Sequence, residues 1–155
     1  MNKRIQNGVF VVGFDKPRIT LAGGSYMLER TLHEAILDGQ LAVAIDFWGV
    51  EFLDTSTLTI LSRTYCELLT RHGHLCLFNV RPQLQELFDQ LYISDFIDIR
   101  KFEEDAVELF IGKPKRRYRG GRLWRTFNRA YSAAFNRNVL PDRRRDRARI
   151  IHGDH

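Results

Sequence analysis

The side chains best able to do chemistry lie in the stretch FLDTSTLTIL, residues 52–61, where Thr55, Ser56, Thr57 and Thr59 follow Asp54 within five positions. A hydroxyl beside a carboxylate has three uses. It can help start a helix by satisfying a free backbone N–H, accept a phosphoryl group from a kinase, or attack a substrate if a base lies within hydrogen-bond reach. The third use needs a base held by a further group, and the sequence supplies no such set, so no catalytic residue is assigned and the chain reads as non-enzymatic.

Other constellations carry less. Cys66, His72, His74 and Cys76 contain metal-binding residue types, but their spacing is not that of a paired-cysteine zinc site, and no Cys-x-x-Cys is present for redox work. No metal and no cofactor is expected. The two cysteines read as reduced, buried and apolar in behaviour. Gly23-Gly24 precedes a helix but lacks the spacing and lysine of a phosphate-binding loop. Glu103, Glu104, Asp105 and Glu108 read as the solvated start of a helix, which the helix dipole favours.

The elements that must position Asp54 to Thr57 follow from local pattern. Asn7-Gly8 predicts a tight hairpin, because both turn positions need positive φ, with 9–14 as its better strand. Leu28, Leu32, Ala35 and Ile36 have helical spacing over 25–37, with Ser25 as expected N-cap and Gly39 as the stop. Residues 41–47 and 75–80 read as buried strands. Between them Leu58, Leu61, Tyr65 and Leu68 mark one buried face of a helix, with Gly73 expected in the left-handed terminal position. A helix opening at Pro82, a strand over 97–100 and a helix over 103–110 complete the pattern. Strands and helices alternate after the hairpin, so the fold class is α/β, with a mixed sheet opened by a β-hairpin and helices packed against it. The hydroxyl cluster then falls at a helix N-terminus, where N–H groups are unpaired and the dipole is positive.

Charge divides the chain. Residues 1–112 hold 10 Lys+Arg against 16 Asp+Glu, net −6, whereas residues 113–155 hold 14 against 3, net +11. Two parts are therefore expected: a domain over 1–112, and over 113–155 a basic linker, an amphipathic helix and an Arg-rich end. In that second part Leu123, Phe127 and Tyr131 form an apolar stripe, edged by Trp124 and Phe135 and surrounded by Arg122 and Arg125. Such a stripe can pack on the acidic domain or on a second copy, lie on a membrane surface, or, less favoured, meet nucleic acid phosphates. The opening MNKRIQNG has no apolar run behind its basic residues, so a cytoplasmic protein is expected, with membrane-peripheral attachment if the tail serves that purpose.

The segment VAIDFWGVEFLDTSTLTILSRTYCELLTRHGHLCLFNV resembles the STAS domain of anti-sigma-factor antagonists, which runs strand, apolar loop, Asp-Ser-Ser/Thr-Gly box, helix, glycine turn, strand. The likeness extends more weakly over about residues 9–110, with EEDAVELF as the closing helix, and stops before the tail. It implies a bacterial signal-transduction module for protein–protein interaction and partner switching. Its partners would be a serine kinase/anti-sigma factor and a phosphatase. Asp54, Thr55, Ser56 and Thr57 would form the partner-binding box, with Ser56 the phosphoacceptor. Thr57 departs from the family pattern, which has Gly there, and is expected to bring a methyl and a hydroxyl into a kinase's path. The rival expectation is a structural STAS adaptor in a membrane-associated or lipid-transport assembly, anchored by the basic tail.

Overall fold

The structure is a computed structural model and describes residues 1–111. The tail residues singled out above, Arg122, Leu123, Trp124, Arg125, Phe127, Tyr131 and Phe135, lie outside the described residues.

Strands β1 (Asn2–Gln6) and β2 (Val9–Gly13) form the expected antiparallel hairpin, with Asn7 at φ 50° and Gly8 at φ 80°. The chain then runs through β3 (Arg18–Ile19), α1 (Ser25–Leu37), β4 (Ala42–Asp46), β5 (Phe52–Leu53), α2 (Thr55–Thr70), β6 (His74–Phe78), α3 (Pro82–Gln90), β7 (Asp98–Arg100) and α4 (Glu103–Ile111). Five strands pair in the order β1-β2-β4-β6-β7, every pair after the hairpin being parallel. The α/β class with a mixed sheet is therefore the architecture observed.

Alternation along the strands sends residues to two faces. On one, Val9, Val11, Ala44, Cys76 and Phe78 pack with Ala106 and Val107 of α4. On the other, Val43, Ile45, Leu75 and Leu77 are fully buried, and α2 lies along β6 with α1 beside it. Right-handed parallel crossovers account for α1 and α2 sharing a face.

Two local expectations are corrected. Ser25 is not the N-cap of α1: Gly24 is, at φ 130° with no side-chain cap, and Ser25 is the first helical residue with its side chain fully buried. Gly73 is not the left-handed residue after α2; His72 is, at φ 61°. Glycine is nevertheless required at 73, because a Cβ there would lie 2.6 Å from Leu41 O and 2.9 Å from Leu68 Cδ2. A further pairing had no forewarning in the sequence: β3 and β5 form a two-residue parallel ribbon, Arg18 beside Phe52 and Ile19 beside Leu53. Pro17 O accepts N–H bonds from Glu51 and Phe52 at 2.7 and 3.1 Å, and the Arg18 guanidinium lies 4.3 Å from the centre of the Phe52 ring. This ribbon brings the loop after Ile19 against the hydroxyl box.

Candidate functional site

Asp54 is the N-cap of α2, with extended backbone at φ −91° and ψ 174°. Its Oδ1 accepts the Thr57 N–H at 3.0 Å and the Thr57 hydroxyl at 3.0 Å, and its Oδ2 accepts the Leu21 N–H at 2.7 Å. The Ser25 hydroxyl lies 3.4 Å from Oδ1. Partial burial on its own would raise the Asp54 carboxyl, but the Thr57 and Leu21 amides and the Thr57 and Ser25 hydroxyls outweigh it and hold the group below its ordinary value. Asp54 is thus an ionised hub whose two oxygens tie the loop after β3 to the first turn of α2.

The four hydroxyls behind it have different fates. Thr57 faces inward and is fully buried. Its Oγ1 lies 2.7 Å from Ser25 Oγ and 3.3 Å from Ile19 O, in addition to the Asp54 bond. Turned inward, its methyl and hydroxyl do not stand in the path of an approaching protein, and the expected obstruction at this position is corrected on that ground. Thr59 donates to Thr55 O at 2.9 Å, a bond within the helix. Thr55 is exposed and Ser56 half-buried, and neither side chain has a hydrogen-bond partner among the described residues.

Position decides what Ser56 can do. It is the second residue of α2, so the Thr55 and Ser56 N–H groups precede any possible intrahelical acceptor. Added negative charge here meets unpaired donors and the positive end of the helix dipole, while the ionised Asp54 two residues away opposes it. The site can therefore carry a phosphate without losing its helix, at the cost of a strongly negative local surface.

The remaining candidates separate in space. Cys66 lies on α2 and Cys76 on β6; both are free, buried thiols. Burial pushes each up to about 12. His72 closes the turn after α2, and His74 Nε2 lies 2.7 Å from an Asp98 carboxylate oxygen. Among the described residues no group of three His, Cys, Asp or Glu is placed to hold a metal ion. Glu103, Glu104 and Asp105 occupy the first turn of α4, where Glu103 meets Arg4 at 2.6 Å.

Sequence reasoning missed three contributors to the box: Ile19, Leu21 and Ser25. Ser25 alone carried a signal, a small hydroxyl residue after Gly-Gly, but the local rule assigned it to its own helix. Its partner Thr57 is 32 positions away.

These features meet in one family. The STAS domain matches residues 1–106, and the chain belongs to that family. Among solved structures the fold is similar to an anti-sigma-factor antagonist STAS domain protein from Planctomyces limnophilus, with TM-score 0.66 and 21% identity over 72% of this chain and 97% of that one. It is similar to an anti-sigma factor antagonist from Mycobacterium paratuberculosis, with TM-score 0.62 and 23% identity over 70% of this chain and 90% of that one. A third likeness is to the Bacillus cell-fate determinant SpoIIAA in its phosphorylated form, with TM-score 0.57 and 16% identity over 70% of this chain and 96% of that one. At these identities the likenesses are of fold. No curated protein sequence matches the chain. Among the described residues no helix is long and apolar enough to cross a membrane.

Proposed function

We propose that this protein is a regulatory interaction module that performs no reaction itself: it docks a serine kinase/anti-sigma partner through the start of α2 and is released when Ser56 is phosphorylated. The observation that carries this reading is the contrast within the box. Asp54 and Thr57 are bonded inward, whereas the Ser56 hydroxyl, half-exposed beside unpaired N–H groups, is bonded to nothing among the described residues. Membership of the STAS family and the existence of SpoIIAA in a phosphorylated form support it.

The mechanism is electrostatic. A phosphate brings about −1.5 to −2 charges. The helix N-terminus tolerates them, but a partner surface already accommodating Asp54 does not, and an apolar contact would have to desolvate them. The domain keeps its fold and loses its partner.

The test is affinity purification of the full chain as wild type, Ser56→Ala and Ser56→Asp, with mass spectrometry of partners and phosphosites. Wild type and Ser56→Ala should retain a kinase or anti-sigma partner, Ser56→Asp should lose it, and the phosphopeptide should be confined to Ser56. If Ser56 is never modified and Ser56→Asp keeps every partner, the switch is wrong. In that case the adaptor reading, with the box as a permanent contact, takes its place.

A further inference from the structure

The Thr57 side chain occupies a position where the family usually has none, and it is fully buried while making three polar contacts within 3.3 Å. Packing alone would be met by valine, which has the same shape. Each hydroxyl has one proton, and the arrangement with the shorter bonds has Ser25 donate to Thr57 Oγ1 at 2.7 Å and Thr57 donate to Asp54 Oδ1 at 3.0 Å; in the reverse order Thr57 donates to Ser25 Oγ and Ser25 reaches Asp54 Oδ1 only at 3.4 Å. The chain of bonds begins in α1 and ends at the cap of α2.

What it encloses is the loop over residues 20–24. Thr20 O accepts the Gly23 and Ser25 N–H groups at 2.9 and 3.0 Å, Leu21 N–H reaches Asp54 Oδ2 at 2.7 Å, and Asp54 N–H reaches Ile19 O at 3.1 Å. The Leu21 side chain is 68% exposed at the tip of this loop. An exposed apolar side chain, on the residue whose amide bonds the cap of the Ser56 helix, is placed to be touched together with that helix.

We propose that Thr57 and Ser25 are positioning residues for the acceptor turn: their hydroxyl relay locks loop 20–24 to the start of α2, so that Leu21 and Ser56 meet the partner as one surface. This rests on the functional reading above for the partner's identity, but the relay itself does not. A glycine at 57 would leave Ser25 without its 2.7 Å partner and the loop tied through Asp54 alone. The threonine thus trades freedom in the acceptor turn for a fixed second contact.

The experiment uses the full chain as wild type, Thr57→Val, Thr57→Ser, Ser25→Ala and Leu21→Asp, and begins with amide hydrogen exchange, which needs no partner. Thr57→Val removes the hydroxyl and keeps the shape, and it should speed exchange at Leu21 by about tenfold while β4 and β6 amides exchange as in wild type. Thr57→Ser should restore the wild-type rate. Ser25→Ala, which leaves Thr57 bonded to Asp54, should loosen Leu21 in the same direction and serves if Thr57→Val does not fold. Retention of the partner should then fall about tenfold in Thr57→Val and Leu21→Asp and return in Thr57→Ser. Wild-type exchange at Leu21 in both Thr57→Val and Ser25→Ala overturns the relay, as does faster exchange spread evenly over the sheet. A partner that binds wild type and Leu21→Asp alike overturns the shared surface while leaving the switch standing. Absence of any kinase-type partner from wild type overturns the functional reading and the shared surface with it, and the exchange rates still decide the relay.

Discussion

At the scale of single residues, Asp54 does most of the organising, and its chemistry makes two outcomes calculable. Removing a capping carboxylate costs about 1 kcal/mol, and Asp54 also accepts from Leu21 and from the buried Thr57 hydroxyl. Asp54→Ala should therefore destabilise the domain by about 2 kcal/mol in urea unfolding, and Asp54→Asn, which still caps, by less. The pH dependence has a definite sign. The carboxyl lies below its ordinary value when folded, so its contribution is complete above the unfolded value of about 3.9 and disappears as pH falls through the folded value. The stability difference between wild type and Asp54→Asn should be flat from neutral pH down to about 5 and shrink below about 4. A difference that grows on acidification would contradict the bonding described. The cysteines provide a second residue-scale outcome. With Cys66 and Cys76 pushed up to about 12 by burial, almost no thiolate exists at pH 8. Thiol reagents should leave the native chain unlabelled and modify both positions once it is unfolded. Rapid labelling of either cysteine in the native protein would show that its burial is wrong.

At the scale of elements, the turn from α2 into β6 shows how backbone and packing requirements separate. His72 takes the left-handed conformation and Gly73 the crowded one. Gly73→Ala should cost about 1–3 kcal/mol, since its Cβ would meet Leu41 O, a backbone atom with little room to move. His72→Gly should be neutral or mildly stabilising by comparison. Thermal melts of the two variants decide the matter, and equal losses would refute the division. The same turn shows what a sequence makes visible. Spacing of Leu58, Leu61, Tyr65 and Leu68 was enough for α2, and Asn7-Gly8 for the hairpin, because these signals are local. The β3–β5 ribbon was not legible: two strands of two residues each leave no periodicity, and their pairing joins positions 34 residues apart. The role of Ser25 is hidden from the sequence for a related reason. Hydroxyl preference at helix starts is a local statistic, while the bond to Thr57 spans 32 positions. The Asp-hydroxyl box was visible as a box, but which of its hydroxyls turns inward depends on that ribbon.

At the scale of the whole molecule, the division of charge yields the last outcome. The buried hydrophobic residues described run from Val9 to Val107, and the sheet and its four helices close within residues 1–111. The core described lies wholly within that span, so a chain ending at residue 112 is expected to unfold in a single cooperative transition with the circular dichroism of an α/β domain. Its electrostatics should invert. That chain carries 10 Lys+Arg against 16 Asp+Glu, whereas the full chain is +5. On immobilised heparin at pH 7 and low salt the full chain should be held and released as salt rises, because attraction of 14 Lys+Arg in residues 113–155 to a polyanion is screened by added ions. The shorter chain should pass through unretained. Retention of both would place a cationic surface on the domain itself, and an unfolded short chain would mean that residues beyond 112 complete the core. Under the proposed switch, a phosphate at Ser56 would change the charge of the domain alone, making it more negative beside Asp54, so modified and unmodified full chains should elute from heparin within a narrow range of salt while differing sharply in partner retention.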